Sequence, residues 1–426
     1  MLNMSITMTS RKKIYLKIVF SISFILIFTS CKNELETLKI TKSRFVLVYM
    51  IADNDLDYFA IQNINDMELG FKANENGDLF VYIDRASNTL PSHPYLLKIS
   101  HDTTNVVTSK IVQTYPEQNS SDANILKKVL SDALLASDKT YSSMGLVLWS
   151  HGSAWLPSGT SLYSNRGDIF DSVSQSNRQK SFGLDFQTQS KYAVNEEMDI
   201  KSLAEVLDNY KFEFILFDAC FMASVEVAYE LRNSNKYFIA SPIEVLSSGF
   251  PYNIIVPQLF KDELDPKSIA QSYYNYYSNQ KGILNSGAVC AINSSELNEL
   301  ARVVNELCSK SGTVQIDRLS NTLNIDSIQQ YDRLKVGVLF DLKQFLGIES
   351  SAIGDEVLKT SIGGIWDKTI IAEYHTSNVL GTLSLKNCNG LSTFLPHKTS
   401  INVNNYYKTL SWYKASGYNK VFLDIY

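Results

Sequence analysis

Cys220 and His151 are the two residues of this 426-residue chain whose types and settings suit covalent chemistry. His151 follows the apolar run Met144–Trp149, in Ser150-His151-Gly152-Ser153-Ala154-Trp155. Cys220 follows the run Phe212–Phe217, in Asp218-Ala219-Cys220. Each run reads as a buried strand, and in an open α/β sheet the reactive groups lie just past the carboxyl ends of such strands. If the two strands are neighbours, as consecutive α/β strands often are, thiol and imidazole face one another across a short gap. A free thiol, with a pKa of about 8.5, is only slightly ionised at neutral pH; an adjacent imidazole and a helix N-terminus both favour the thiolate. The sequence offers both, because a helical pattern, Met222–Arg232, begins directly after Cys220. Acyl transfer also needs donors aimed at the developing oxyanion. Gly152 has no Cβ, so its N–H can approach closely and, with that of Cys220, forms the expected hole.

The other reactive side chains have less to recommend them. His93 and His101 fall in a hairpin region, His375 and His397 lie outside any motif, and Cys290 and Cys308 sit in an apolar run and a helical pattern that read as core. Cys220, Cys290, Cys308 and Cys388 are widely spaced with no C-x-x-C pair, a pattern of neither a disulfide framework nor a zinc site. Asp53, Asn54, Asp55 and Asp57 crowd one turn, yet Tyr58 stands where an EF-hand needs glycine and Ile64 where it needs a bidentate glutamate. That segment reads as a turn at the active-site edge.

The elements that must carry these residues form an α/β pattern. Strands are expected at Arg44–Ile51, Leu79–Ile83, Met144–Trp149, Phe212–Phe217 and Tyr237–Ala240, with helices over Asp122–Ala136, Asp199–Tyr210 and Met222–Arg232 between them. Alternation of this kind predicts a mostly parallel sheet flanked by helices. Further helices are expected over Pro266–Gln280 and Ser295–Lys310, with strands over Gly287–Ile292 and Thr369–His375. The expected organisation is a catalytic domain over 44–253 and an α+β subdomain over 254–426 packed on it. Between two core strands, Leu156–Glu197 is a long polar insertion. With 39 basic and 44 acidic residues spread along the chain and no basic stripe, nucleic acid is not expected as a partner.

Met144-Gly-Leu-Val-Leu-Trp-Ser-His-Gly-Ser-Ala-Trp155 and Phe217-Asp-Ala-Cys-Phe-Met-Ala-Ser-Val-Glu-Val-Ala-Tyr229 resemble the histidine and cysteine motifs of the clostripain family of caspase-like cysteine peptidases. The likeness extends to Ala52-Asp-Asn-Asp-Leu56, Ala240-Ser241, Gly249-Phe-Pro-Tyr252 and Gly390-Leu-Ser-Thr-Phe-Leu-Pro396. It implies a caspase-like fold, Cys220 as nucleophile and His151 as general base, protein or peptide substrates, and calcium dependence without a located site. No cofactor is needed for the chemistry itself. Asp218 lies two residues before Cys220 and so projects toward the same cleft, and the matching aspartate of the family lines the pocket for the residue before the scissile bond. Cleavage after Arg or Lys is therefore expected. The alternative duty for Asp218 is to accept hydrogen bonds from the first turn of the helix at Met222. Ser241-Pro-Ile-Glu244 is less acidic than the segment of many relatives, which leaves Glu244 to supply a second negative charge. Relatives are often cut after the histidine at a basic residue; Arg166, Arg178, Lys180 and Lys191 are the candidates here, Arg166 foremost, against an uncut loop that gates the cleft.

The N-terminus concerns targeting. Arg11, Lys12, Lys13 and Lys17 precede the apolar run Ile18–Phe28, which is too short to span a bilayer and reads as the hydrophobic region of a signal peptide. It ends in Phe28-Thr29-Ser30-Cys31, which resembles a bacterial lipobox. The expectation is an exported protein, residues 1–30 removed, lipid-anchored through Cys31 at an outer membrane or cell surface, with residues 31–43 as tether. The competing reading is a catalytically silent surface lipoprotein that uses the same fold to bind protein or glycan. Intact His-Gly and Asp-Ala-Cys motifs favour the enzyme.

Overall fold

The computed structural model describes residues 43–72, 76–86, 91, 93–137, 139–157, 182–185, 197–311, 327–334, 337–396 and 401–422. Its centre is a sheet of nine strands: β1 (Arg44–Ala52), β2 (Gly77–Arg85), β3 (Tyr95–Lys98), β4 (Lys110–Thr114), β5 (Ser143–Trp149), β6 (Phe212–Asp218), β7 (Asn235–Ala240), β8 (Ala288–Asn293) and, after the two-residue strand β9 (Phe340–Asp341), β10 (Ile370–His375). The spatial order is β10-β8-β7-β6-β5-β1-β2-β3-β4. The five inner strands β7, β6, β5, β1 and β2 run parallel, and antiparallel strands close both edges. The mostly parallel sheet expected from the alternation of elements is the one observed.

β1 shows why such strands read as unbroken apolar runs. All nine of its residues are buried. Phe45, Leu47, Tyr49 and Ile51 face one hydrophobic layer, while Val46, Val48, Met50 and Ala52 face the other. Successive side chains point to opposite faces, so a strand covered on both sides must be apolar at every position. Helices Asp57–Gly70, Tyr252–Leu259 and Pro266–Ser278 cover the second layer; Ala123–Leu135, Ile200–Leu207, Leu297–Ser311 and Glu356–Thr369 cover the first.

The helix expected from Met222 starts later, at Val225, and ends at Glu230. The intervening turn pairs with the chain beyond β7: the Phe221 amide donates to Ile243 O at 2.9 Å and the Ala223 amide to Ser241 O at 2.8 Å. Phe221 takes a left-handed φ of 64° there. The left-handed Phe221 and these two hydrogen bonds to the 241–243 segment hold the turn out of helical geometry until Val225. The sheet also runs through the boundary expected at 253/254, since β8 and β10 extend it beyond β7. Residues 42–426 form one compact unit. Glu226, fully buried, fastens the C-terminal segment beneath the turn through Thr393 Oγ1 (2.9 Å), the Phe394 amide (2.9 Å) and Tyr407 Oη (3.0 Å). No described helix is long and apolar enough to cross a membrane.

Candidate active site

β5 and β6 are adjacent and parallel, with Trp149 opposite Asp218. His151 and Cys220 each lie two residues beyond that pair, so the two strands deliver them to the same height. Both line one cleft of about 270 Å³, whose walls include Asp55, Ser150, Asp218, Glu244 and Arg333. The Cys220 sulfur sits against the main chain of Val245, accepting its N–H at 3.2 Å, with the Val245 carbonyl 3.6 Å away.

Gly152 packs against the turn that carries the thiol. A Cβ there would lie 2.6 Å from the Cys220 carbonyl oxygen, so only glycine permits this approach. Among the described residues the Gly152 amide has no hydrogen-bond partner. A glycine amide held this close to the Cys220 turn is placed where a donor to a developing oxyanion is needed.

Asp55 is the site residue that the sequence did not single out for catalysis. Its Oδ1 lies 2.7 Å from His151 Nε2. The hydrogen bond to His151 holds the Asp55 carboxyl below the usual carboxylate range. The carboxylate is mostly in water, its side chain 77% exposed, so it orients the ring under strong solvent screening. Asp55→Asn is accordingly expected to lower kcat by about 10-fold, far less than the ~10⁴ lost with a buried triad aspartate. The activity of Asp55→Asn measured across pH 5–8 checks this; a loss of 10³-fold or more would mean that the carboxylate does more than orient.

The remaining turn residues are committed elsewhere. Asp57 forms a two-pronged ion pair with Arg85 at 2.8 and 2.7 Å, and Asn54 Nδ2 donates to Ile51 O and Leu184 O. Among the described residues no three carboxylates come close enough to share an ion, so the calcium implied by the resemblance finds no all-acid cradle in this turn.

Asp218 is 4% exposed and held from the far side of the pocket, not by the Met222 turn: its Oδ2 accepts from the Phe250 amide at 3.0 Å and from Tyr252 Oη at 2.8 Å. Burial pushes this carboxyl up to about 6, against the two hydrogen bonds, which act to lower it. Glu244, expected as a second negative charge, does reach the cleft, but its Oε1 is paired with Arg333 Nε at 2.6 Å. That guanidinium neutralises it and leaves Asp218, among the described residues, as the cleft carboxylate without a cationic partner. Arg333 gave no signal in the sequence because it arrives from 113 positions beyond Cys220 with no motif around it. Cys290, Cys308 and Cys388 are buried away from the cleft, as the core reading expected for Cys290 and Cys308. Cys31, Arg166, Arg178, Lys180 and Lys191 lie outside the described residues.

A sequence profile of the clostripain family matches residues 48–184 and 179–424, nearly the whole of the described chain. Clostripain of Hathewaya histolytica is 26% identical over 257 residues, 54% of this chain. The chain matches 44% of that protein's length, less than half of it. A secreted C11 cysteine protease from Bacteroides thetaiotaomicron, solved with an irreversible peptide inhibitor, is 30% identical with a TM-score of 0.70, covering 88% of this chain and 99% of that one. An inactive zymogen of a C11 protease from Parabacteroides distasonis is 28% identical, with the same TM-score and the same coverage.

Proposed function

The chain belongs to the clostripain family, and from that premise we propose that it is an exported cysteine endopeptidase that cleaves after Arg or Lys. The observation that carries the reading is the cleft itself, where Cys220, His151 and the buried Asp218 meet at the register-matched ends of β5 and β6. In this reading His151 takes the Cys220 proton, and the thiolate attacks the scissile carbonyl. The Gly152 and Cys220 amides hold the oxyanion, and the imidazolium returns its proton to the leaving amine. Water activated by the same imidazole then hydrolyses the thioester and frees the enzyme. The basic side chain of the substrate lies against Asp218, where an ion pair shielded from water orients the bond to be cut. An irreversible inhibitor with Arg before its reactive group should add one inhibitor mass to Cys220 in the wild type. Labelling of another cysteine, or equal labelling by a Leu analogue, would overturn the reading.

The finer parts of the proposal concern processing and anchoring. The polar insertion between His151 and β6 is the substrate for a first, intramolecular cut, at Arg166 before Arg178, Lys180 or Lys191. Lipid on Cys31 holds the mature enzyme at a bacterial surface. Mass spectrometry of protein exported by a lipoprotein-processing host should show a wild type of two chains, its N-terminus at a modified Cys31. Cys220→Ala should remain one chain with the same lipid. A Cys220→Ala protein that is cut when made in a peptidase-free system would mean the cut is not its own, and an unmodified Cys31 would remove the anchor.

A further inference from the structure

We propose that Glu373, His375 and Cys388 form a zinc site that clamps the C-terminal segment to the edge of the sheet. One ligand atom from each residue lies within 4.8 Å of the others. The sequence hides this group, because twelve residues separate His375 from Cys388 and the cysteines follow no metal-binding spacing. The fold assembles it from two elements.

Glu373 and His375 are two apart on the edge strand β10, so their side chains leave the same face. His375 Nδ1 lies 2.9 Å from the Thr376 carbonyl. A carbonyl can only accept, so Nδ1 carries the proton and Nε2 presents its lone pair, the arrangement usual for a metal-bound imidazole. Cys388 comes from the loop that crosses this strand. The loop is pinned by the Leu385 amide on Ser377 O at 3.0 Å and by the Asn389 amide on Asp341 Oδ2 at 2.8 Å. It passes so close that a Cβ at Gly390, whose φ is +84°, would lie 2.7 Å from the Glu373 Cβ. Among the described residues the buried Glu373 Oε2 has no hydrogen-bond partner, a costly position for a carboxylate oxygen unless something positive joins it.

A thiolate, an imidazole and a carboxylate together favour zinc over calcium or magnesium, which take oxygen ligands. Zinc bonds of about 2.0–2.3 Å put tetrahedral ligands roughly 3.5 Å apart, a spacing that atoms already within 4.8 Å of one another reach by small side-chain movements, with a fourth position left for water. The consequence reaches the active site along the chain. Four residues after Cys388, the Ser392 amide donates to Ala223 O at 3.0 Å, three residues past the nucleophile. A metal that fixes the loop therefore fixes a strut beneath Cys220.

The test uses untagged full-length Cys220→Ala protein, in which the catalytic pair can no longer bind metal, after chelator treatment. Titration with zinc chloride should show one site per chain and raise Tm by a few degrees at saturation. Cobalt(II) should give a thiolate-to-metal charge-transfer band. His375→Ala, at a half-buried strand end, should weaken zinc binding by roughly 100-fold or more while keeping the native circular dichroism. Cys388→Ser should abolish the charge-transfer band. Absence of 1:1 binding at micromolar zinc, or binding that survives both substitutions, would overturn the site.

Discussion

Cys220→Ala and His151→Ala are each expected to lower hydrolysis of an Arg-containing peptide by about 10⁴- to 10⁶-fold, with no loss of fold. The two act as one device, so the double variant should lose hardly more than either single one. Neither substitution creates a large void, because each side chain borders the cleft and stands 8–9% exposed. Cys290→Ala is the control that separates nucleophile from core thiol. Cys290 is completely buried, and burial pushes its thiol well above the ordinary range, as it pushes Cys308 up to about 12. Neither reacts readily as a thiolate at neutral pH. Steady-state rates for the four proteins, with circular dichroism to show that each is folded, decide the matter. Substantial activity in Cys220→Ala would remove the assignment.

Asp218→Asn is expected to cost about 10²- to 10³-fold in kcat/KM on Arg and Lys peptides and little on a matched Leu peptide. A substrate cation left without its carboxylate in a pocket shielded from water loses about 3–4 kcal/mol, which is where those factors come from. Asp218 also has a structural duty through Phe250 and Tyr252, so loss of activity alone would be ambiguous. Tyr252→Phe resolves this. It removes the 2.8 Å hydrogen bond that helps to hold the carboxyl down, so the comparison is made at alkaline pH, where Asp218 stays ionised and the ratio of Arg to Leu hydrolysis should stay close to that of the wild type. The pH dependence supplies a second reading of the same group. With the carboxyl pushed up to about 6 by burial, Asp218 is largely protonated at pH 5 and ionised at pH 7.5. The preference for basic over neutral peptides, measured as a ratio of kcat/KM values, should therefore rise across that interval, since kcat/KM reports the free enzyme. Asp218→Asn should flatten the rise. A wild type that prefers Leu or Asp before the bond would exclude the pocket altogether.

Much of this protein is legible in its sequence alone, for a physical reason. A parallel strand buried on both faces must be apolar throughout, so β1, β5 and β6 stand out as short unbroken runs. Reactive groups in such a sheet sit just beyond strand ends, which marks His151 and Cys220 by position alone. Features set by one residue and its sequence neighbours could be read: the strand, its end, the glycine that admits a close approach, and the burial of Cys290 and Cys308. Features that require two distant segments to meet could not. Asp55 reaches His151 across 96 positions, Arg333 reaches Glu244 across 89, and Glu226 gathers partners from 167 to 181 positions on. The late start of the helix after Cys220 belongs to the same class, since the turn that replaces its first residues is held by hydrogen bonds to Ser241 and Ile243. Local pattern carries periodicity, which the sequence holds in full. Which carboxylate meets which cation is decided only when the sheet brings its strand ends together, and with it the charge of the cleft.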